Sequence, residues 1–280
     1  MAFLLDSCSV RSVSIKQSLL ITFWFFFTSI ASSADIQKMA LNVAEQSKAA
    51  IVTVRVVLNV KRSIRGQTRD EERKTEALGT IINNSGLTVA SLSAVDPTTV
   101  IRRMIRRSRN SGNSIESEFK ETTLILDDGT EVESDIVLRD RDLDMVFIKP
   151  RQVQFPFKPV KLHPENKKPQ LLDPVFVVGR LGKLGNRAIT LNLGRIQSLV
   201  KGPRPYYICD SVISVNVGCI VYDALGDPVG ILLTKQNASV FGSGSSSLSG
   251  NQMIMPILRS IDDLLEIAAQ AKESELRQDE

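Results

Sequence analysis

The sequence predicts an all-β protein built as a barrel or a sandwich. Short runs rich in Val, Ile and Leu recur along the chain, and turn signals such as Asn-Ser-Gly at residues 84–86 and Asp-Asp-Gly at residues 127–129 separate them. No helical periodicity lies between successive runs, which argues against a sheet of alternating strands and helices. The runs that predict strands cover residues 49–60, 78–82, 87–92, 122–126, 131–138, 145–148, 174–178, 188–200, 206–209, 219–222, 229–234 and 252–255.

The predicted strands fall into two groups of similar size. A segment rich in Pro and Phe lies between the groups and is typical of a linker. We therefore expect one β unit over residues 51–152 and a second over residues 165–255. The 280 residues, of which 42% are hydrophobic, are enough to bury a core of that size. The residues that mark the linker are Phe155, Pro156, Phe157, Pro159 and Pro164.

Amphipathic helices are predicted at both ends of this β region. Over residues 35–50, Ile36, Met39 and Val43 recur at helical spacing. At the other end, Pro256 is expected to open a helix and tail over residues 256–280. The residues expected on the apolar face of that second helix are Ile257, Ile261, Leu264, Leu265 and Ala268.

The first 34 residues have the pattern of a secretory signal peptide. Arg11 and Lys16 precede an apolar run over residues 19–30, and the small residues 31–34 follow it. We expect export to the periplasm or the extracellular space. The alternatives are an uncleaved segment that anchors the protein to a membrane and a buried core helix.

Positive charge is concentrated locally rather than over the whole chain. The net charge is only +4, with an isoelectric point near 9.0. The arginine-rich stretch over residues 101–120 is expected to be either a solvated loop, the interpretation we favour, or a site for an anionic partner. No aromatic residues are interleaved, so nucleic acid is not predicted as a partner. The arginines of this stretch are Arg102, Arg103, Arg106, Arg107 and Arg109.

Cysteine and histidine are too few for a predicted metal or cofactor site. Cys8 leaves with the signal segment, and in an oxidising compartment Cys209 and Cys219 either form a disulfide or stay as two buried thiols. His163 is the only histidine and lies in the linker, with no carboxylate or thiol spacing that makes a ligand set. We therefore predict neither a metal nor a cofactor.

Four segments, in order, resemble the HtrA/Deg-type branch of trypsin-like serine proteases. The first is LGTIINNSGLTVASLSAV at residues 78–95, and the second includes LDDGTE at 126–131 and VLRDRDLDMVFIK at 137–149. The third includes VVGR at 177–180 and TLNLGRIQS at 190–198, and the fourth runs from DSVISVNVGC at 210–219 to GDPVGI at 226–231. This resemblance implies two six-stranded antiparallel β-barrels with short terminal helices. A PDZ module, which relatives of this branch often carry, is not expected here.

The resemblance also implies where a catalytic triad would lie. Asp144 matches the catalytic aspartate, whereas Ser93 stands at the histidine position. The nucleophile loop is one residue short, so Val217, or Gly218 if the gap falls after Asn216, replaces the serine. A serine hydroxyl cannot act as a general base near neutral pH, and neither valine nor glycine carries a nucleophile. The resemblance therefore predicts a pseudoprotease with a doubtful oxyanion hole.

Three functions follow from these observations. The first is a non-catalytic protein that holds a peptide or partner protein in the remnant cleft by strand addition. The second is an active endopeptidase that uses Ser214 or Cys219 as an unusual nucleophile. The third is an envelope-associated structural protein that docks through the arginines between Arg102 and Arg109.

Overall fold

A computed structural model describes residues 35–64, 66–107, 113–153, 156–164, 168–210, 216–236 and 254–276. The predicted signal segment with Cys8 lies outside the described residues. So do Arg109, Phe155 and Ser214.

The chain folds into two closed, antiparallel β-barrels of six strands each, as predicted. The strand order is β1-β2-β3-β6-β5-β4 in the first barrel and β10-β11-β12-β9-β8-β7 in the second. The first barrel contains β1 (Ile51–Ile64), β2 (Gln67–Ile81), β3 (Thr88–Ser91), β4 (Ser114–Ile125), β5 (Glu131–Asp140) and β6 (Met145–Pro150). The second contains β7 (Pro174–Arg180), β8 (Ile189–Val200), β9 (Tyr206–Cys209), β10 (Ile220–Asp223), β11 (Pro228–Gln236) and β12 (Ile254–Ser260).

Within the described residues, four α-helices accompany the barrels. α1 covers residues 35–47, α2 covers Leu92–Val95, α3 covers Thr98–Arg107 and α4 covers Ile261–Leu276. None of the helices in the described ranges combines the length and the apolar character that crossing a membrane requires.

The terminal helices pack across the two barrels. α1 precedes the first barrel, yet Met39 and Val43 lie against Gly226 in the β10–β11 turn of the second. α4 follows the second barrel, yet it packs on β5 of the first as well as on β11 and β12. The buried face of α4 includes Ile261 and Leu264, both predicted, and Ile267. Each end of the described chain therefore contacts the barrel to which it is not directly joined.

Buried polar groups also join the barrels. Arg180 of β7 is 9% exposed, and its guanidinium donates to the carbonyl oxygens of Ile51 (3.2 Å) and Lys48 (2.8 Å) beside β1. Thr80 of β2 donates through Oγ1 to the carbonyl oxygen of Gly218 at 3.0 Å. A hydrophobic core continues from Phe147 in one barrel to Phe176 in the other. Both apolar and polar contacts therefore stabilise the interface between the barrels.

The gap between the predicted strands at residues 49–60 and 78–82 is wrong, although the intervening stretch from Lys61 to Glu76 is densely charged. β1 and β2 continue through this stretch as a paired ladder in which Lys61 is opposite Asp70, and β4 pairs with β1 as far as Ser114. In this part of the hairpin both faces of β2 are mainly exposed to solvent. Polar side chains can therefore occupy both faces of the strand. Charged side chains on the outer strands also disfavour edge-to-edge aggregation.

The favoured solvated loop for the arginine-rich stretch is also wrong. Arg102 and Arg103 lie on α3, and β4 follows. Asp96 accepts hydrogen bonds through Oδ1 from the backbone N–H (3.0 Å) and the hydroxyl (2.6 Å) of Thr98. Asp96 lies just before the N-terminus of α3, where a carboxylate satisfies free N–H groups and complements the helix dipole. The sequence Asp-Pro-Thr at residues 96–98 therefore indicates the start of a helix, which was not predicted.

Pro256 does not open the C-terminal helix but lies inside β12. It pairs with Thr234, whose backbone N–H points away from β12 and donates to Asp144. The Thr234–Pro256 pair is therefore a non-hydrogen-bonded pair of the ladder, and the missing N–H of proline breaks no bond to β11. On the other side of β12, β9 pairs only at Leu258. The helix begins at Ile261 instead.

Candidate functional site

Asp144 is the centre of a hydrogen-bonded cluster that spans both barrels. Its Oδ1 accepts from the backbone N–H of Ser93 at 2.8 Å, and its Oδ2 accepts from Ser91 Oγ at 2.5 Å. Oδ2 also accepts from the backbone N–H (3.0 Å) and the hydroxyl (2.8 Å) of Thr234 in β11. Ser91 and Ser93 belong to the first barrel, so the carboxylate links the two halves of the molecule.

The local backbone places this carboxylate. Asp144 ends the β5–β6 turn with a φ of 63°, in the left-handed region that Asp and Asn tolerate better than most residues. Its carbonyl oxygen accepts from the N–H of Leu92 at 2.9 Å, which fixes the turn against the start of α2. The left-handed turn and the backbone bond to Leu92 therefore place the carboxylate beside Ser93.

Ser93 occupies the position beside Asp144 where the resemblance places an imidazole. The side chain is buried, with 8% exposure, and its hydroxyl is hydrogen-bonded to Thr234 Oγ1 and lies 3.3 Å from Ser91 Oγ. A hydroxyl in this setting can donate or accept a hydrogen bond but cannot hold a proton taken from a nucleophile. The cluster of Asp144, Ser91, Ser93 and Thr234 therefore joins the two barrels through hydrogen bonds and contains no imidazole.

Val217 lies half-buried in the turn that begins at Asn216. The N–H of Cys219 donates to the carbonyl oxygen of Asn216 at 3.1 Å and closes this turn. Asn216 is 2% exposed and packs against Gly179, where a Cβ atom would lie 2.0 Å from its Oδ1. The position that would carry the nucleophile therefore presents an aliphatic side chain on a tightly packed turn.

The backbone N–H of Gly218 is already used. It donates to the carbonyl oxygen of Leu232 at 2.7 Å, and Gly218 itself has a φ of 94°. An oxyanion hole requires N–H groups that point at the developing negative charge. This N–H donates within the β-barrel instead, so it is not free to bind an oxyanion.

The two cysteines of the second barrel are free thiols in the structure. Cys219 is completely buried and Cys209 half-buried. Burial raises the pKa of each thiol to about 12. Since the thiolate is the nucleophilic form, neither side chain is set up for attack on a carbonyl.

We expect both thiols of the folded protein to resist alkylation. With a pKa of about 12, about one Cys219 thiol in ten thousand is ionised at pH 8, and burial blocks reagent access as well. Iodoacetamide labelling at pH 8, mapped to peptides by mass spectrometry, should mark both cysteines only after unfolding in urea. Rapid labelling of Cys219 in the native protein would contradict this assignment and restore it as a candidate nucleophile.

The remaining predicted residues lie in different places. His163 is exposed in the linker, which leaves the barrel junction at Val160, whose N–H donates to the carbonyl oxygen of Ile81 at 3.0 Å. Arg102 and Arg103 line a cavity of about 150 Å³ that also touches Asp144. The structure therefore brings together Asp144, Ser93 and part of the arginine cluster.

Thr234 was missed by the sequence analysis although it makes two of the bonds to Asp144. The available signal was a single polar residue directly after the buried run Ile231–Leu233. Arg141, Lys235 and Arg259, which also line the cavity, come from three separate segments. Their proximity is seen in the folded structure and has no local signal in the sequence.

Comparison with known proteins gives a family match. The family model described as "Trypsin-like peptidase domain" matches residues 77–231, more than half of the chain. The matched region starts in β2, ends in β11 and includes Ser93, Asp144 and Val217. The comparison with curated proteins gives no match.

Proposed function

Because the chain belongs to the trypsin-like peptidase family, we propose that it is an exported, HtrA/Deg-type member that has lost proteolysis and binds a peptide or protein in its cleft. Export rests on the signal-peptide pattern of residues 1–34. The assignment to the HtrA/Deg-type branch rests on the four ordered segments that resemble it. The inactivity and the binding mode are argued from the site.

The replacement of the general base carries the proposal. Ser93 is hydrogen-bonded to Asp144 and Thr234, so the carboxylate has buried partners that do not include an imidazole. Val217 supplies no nucleophile, and the N–H of Gly218 is directed into the barrel. Each chemical requirement of the triad is missing except the aspartate, while the packing around it is complete.

An open strand edge beside Asp144 supports binding by strand addition. β11 pairs with β10 only up to Ile231, and beyond Leu233 β12 is its only partner among the described strands. The N–H of Thr234 points away from β12 and is bonded to Asp144, so the N–H and C=O of Gln236, two residues further, also face away from β12. An extended peptide can pair with these groups, since unpaired strand edges are templates for strand addition.

The test combines turnover with binding. We expect the native protein neither to cleave unfolded casein nor to react with a fluorophosphonate probe. We expect it to bind fluorescein-labelled unfolded casein, measured by anisotropy. Gln236→Pro removes the N–H at the open edge and should weaken this binding, whereas the matched control Gln236→Ala should not.

Two outcomes would overturn the proposal. Cleavage or labelling by the native protein would show an active nucleophile, and equal casein binding by both Gln236 variants would exclude strand addition at this edge. The double variant Ser93→His, Val217→Ser provides a further arm. Probe labelling that appears only in this variant would show that the cleft still has the geometry of a protease.

A further inference from the structure

Cations dominate the cavity beside the Asp144 cluster. It measures about 150 Å³ and lies between α3, the β5–β6 turn, β11 and β12. Asp142 and Asp144 also line it, so five cations face two carboxylates and leave a net charge of +3. The cations are Arg102, Arg103, Arg141, Lys235 and Arg259.

The oxygens of Asp144 are already engaged by neutral donors rather than by these cations. The carboxylate accepts four hydrogen bonds from Ser91, Ser93 and Thr234. Asp142 is exposed at the rim. The cavity therefore presents an excess of hydrogen-bond donors and positive charge.

Four of the five cations form no salt bridge within the described part of the chain. Arg102 donates instead to the carbonyl oxygen of Ile115 (3.1 Å) and to Ser117 Oγ (3.1 Å), and Arg103 donates to the carbonyl oxygen of Arg141. In contrast, the arginines Arg55, Arg151, Arg187 and Arg204 each have a carboxylate within 4 Å. Arg102 and Arg103 are therefore held by neutral oxygens and have no carboxylate within 4 Å among the described residues.

Arg259 adds a buried donor without an acceptor. Arg259 lies on β12 and is only 5% exposed. Its Nε is buried and has no hydrogen-bond partner among the described residues. One terminal nitrogen donates to the carbonyl oxygen of Arg204 at 3.0 Å and lies 3.8 Å from Asp263. Burial lowers the pKa of Arg259, which reflects the cost of keeping this charge away from water. An unsatisfied buried N–H of this kind calls for a partner.

We propose that this cavity is a binding site for an oxyanion group, either a carboxylate or a phosphate monoester. Guanidinium groups match the two-oxygen edge of both anions, and hydrogen bonds to charged groups are stronger than those between neutral groups. The hydroxyl-bearing residues Thr99 and Thr234 also line the cavity. A single water needs about 10–15 Å³ of such volume, so about 150 Å³ accepts an oxyanion together with part of its carrier.

The site goes beyond the proposed binding of a peptide at the strand edge. Lys235 lines the cavity and also belongs to the open end of β11. An oxyanion can bind there whether or not the cleft holds a peptide. The two ideas are therefore tested by separate measurements.

The experiment measures stabilisation by two simple probes, inorganic phosphate and glutarate. Each is titrated against the full chain while the thermal unfolding midpoint is followed, with sodium chloride at equal ionic strength as reference. The test variant is Arg141→Gln with Lys235→Gln, because both residues are exposed and line the cavity. The control is Lys61→Gln with Arg69→Gln, which removes the same charge from exposed positions on β1 and β2.

We expect a saturable rise of the midpoint with at least one probe and none with chloride. The cavity variant should bind at least about tenfold more weakly, since a hydrogen bond to a charged group contributes that much or more. The control should keep the native affinity. A response to phosphate alone, to glutarate alone or to both identifies the oxyanion; no saturable response to either, or equal weakening in both double variants, would overturn the proposal.

Discussion

Gly218→Ala is expected to lower the free energy of unfolding by about 4 kcal/mol or more, because the substitution combines backbone strain with a steric clash. Gly218 has a φ of 94°, which disfavours any residue with a Cβ atom. A Cβ atom there would also lie 2.2 Å from the carbonyl oxygen of Leu78, a backbone atom that cannot turn aside. Urea unfolding followed by circular dichroism measures the loss.

Gly129→Ala separates the two causes. Gly129 has a φ of 86°, and nothing lies within 4 Å of its ideal Cβ position. This substitution should cost only about 1–2 kcal/mol, the strain of the left-handed backbone alone. If Gly218→Ala destabilised the protein no more than Gly129→Ala does, the close approach of the nucleophile-loop turn to β2 would be refuted.

Asp144→Ala is expected to destabilise the protein by about 3 kcal/mol, since four donors lose their acceptor at the junction of the barrels. The hydroxyls of Ser91 and Thr234 can turn towards other acceptors. The backbone N–H groups of Ser93 and Thr234 cannot, and these supply most of the expected loss. The same urea titration gives the value.

Two further substitutions at the same position separate the effect of the carboxylate from that of the backbone. Asp144→Gly relieves the strain at a φ of 63° while it removes the same four bonds, so it should still cost about 2 kcal/mol. Asp144→Asn keeps one acceptor oxygen and should fall between the native protein and Asp144→Ala. A full recovery of stability in Asp144→Gly would show that backbone strain, and not the lost hydrogen bonds, explains the alanine result.

The barrel strands could be predicted from sequence wherever one side of a strand is buried. The Val and Ile content of runs such as Ile51–Val60 and Val175–Val178 predicts strands. The outer parts of β1 and β2 could not be recognised this way, because both of their faces are mainly exposed and polar, and backbone pairing has no hydrophobic signature. The place of Pro256 in β12 depends on which pairs of the ladder are hydrogen-bonded, which is a property of two strands together.

The candidate site was predictable only in part. Asp144 and Ser93 could be found from motifs of adjacent residues. Thr234 and Arg259 contribute through contacts between segments far apart in sequence, and no local pattern marks them. The serine at the position where the resemblance expects a histidine was visible in the sequence, but the hydrogen-bond network that Ser93 joins was not.

The crossed packing of the terminal helices sets an order for folding. α1 precedes both barrels in the chain, yet the surface that receives Met39 and Val43, at Gly226, is among the later parts to be synthesised. α4, in turn, packs on β5 of the first barrel, which lies more than a hundred residues earlier in the chain. Because long-range contacts of this kind must wait for distant segments, docking of both helices is expected to be a late step. Once they are docked, neither barrel can open without disturbing the other, so the two should unfold in a single cooperative transition.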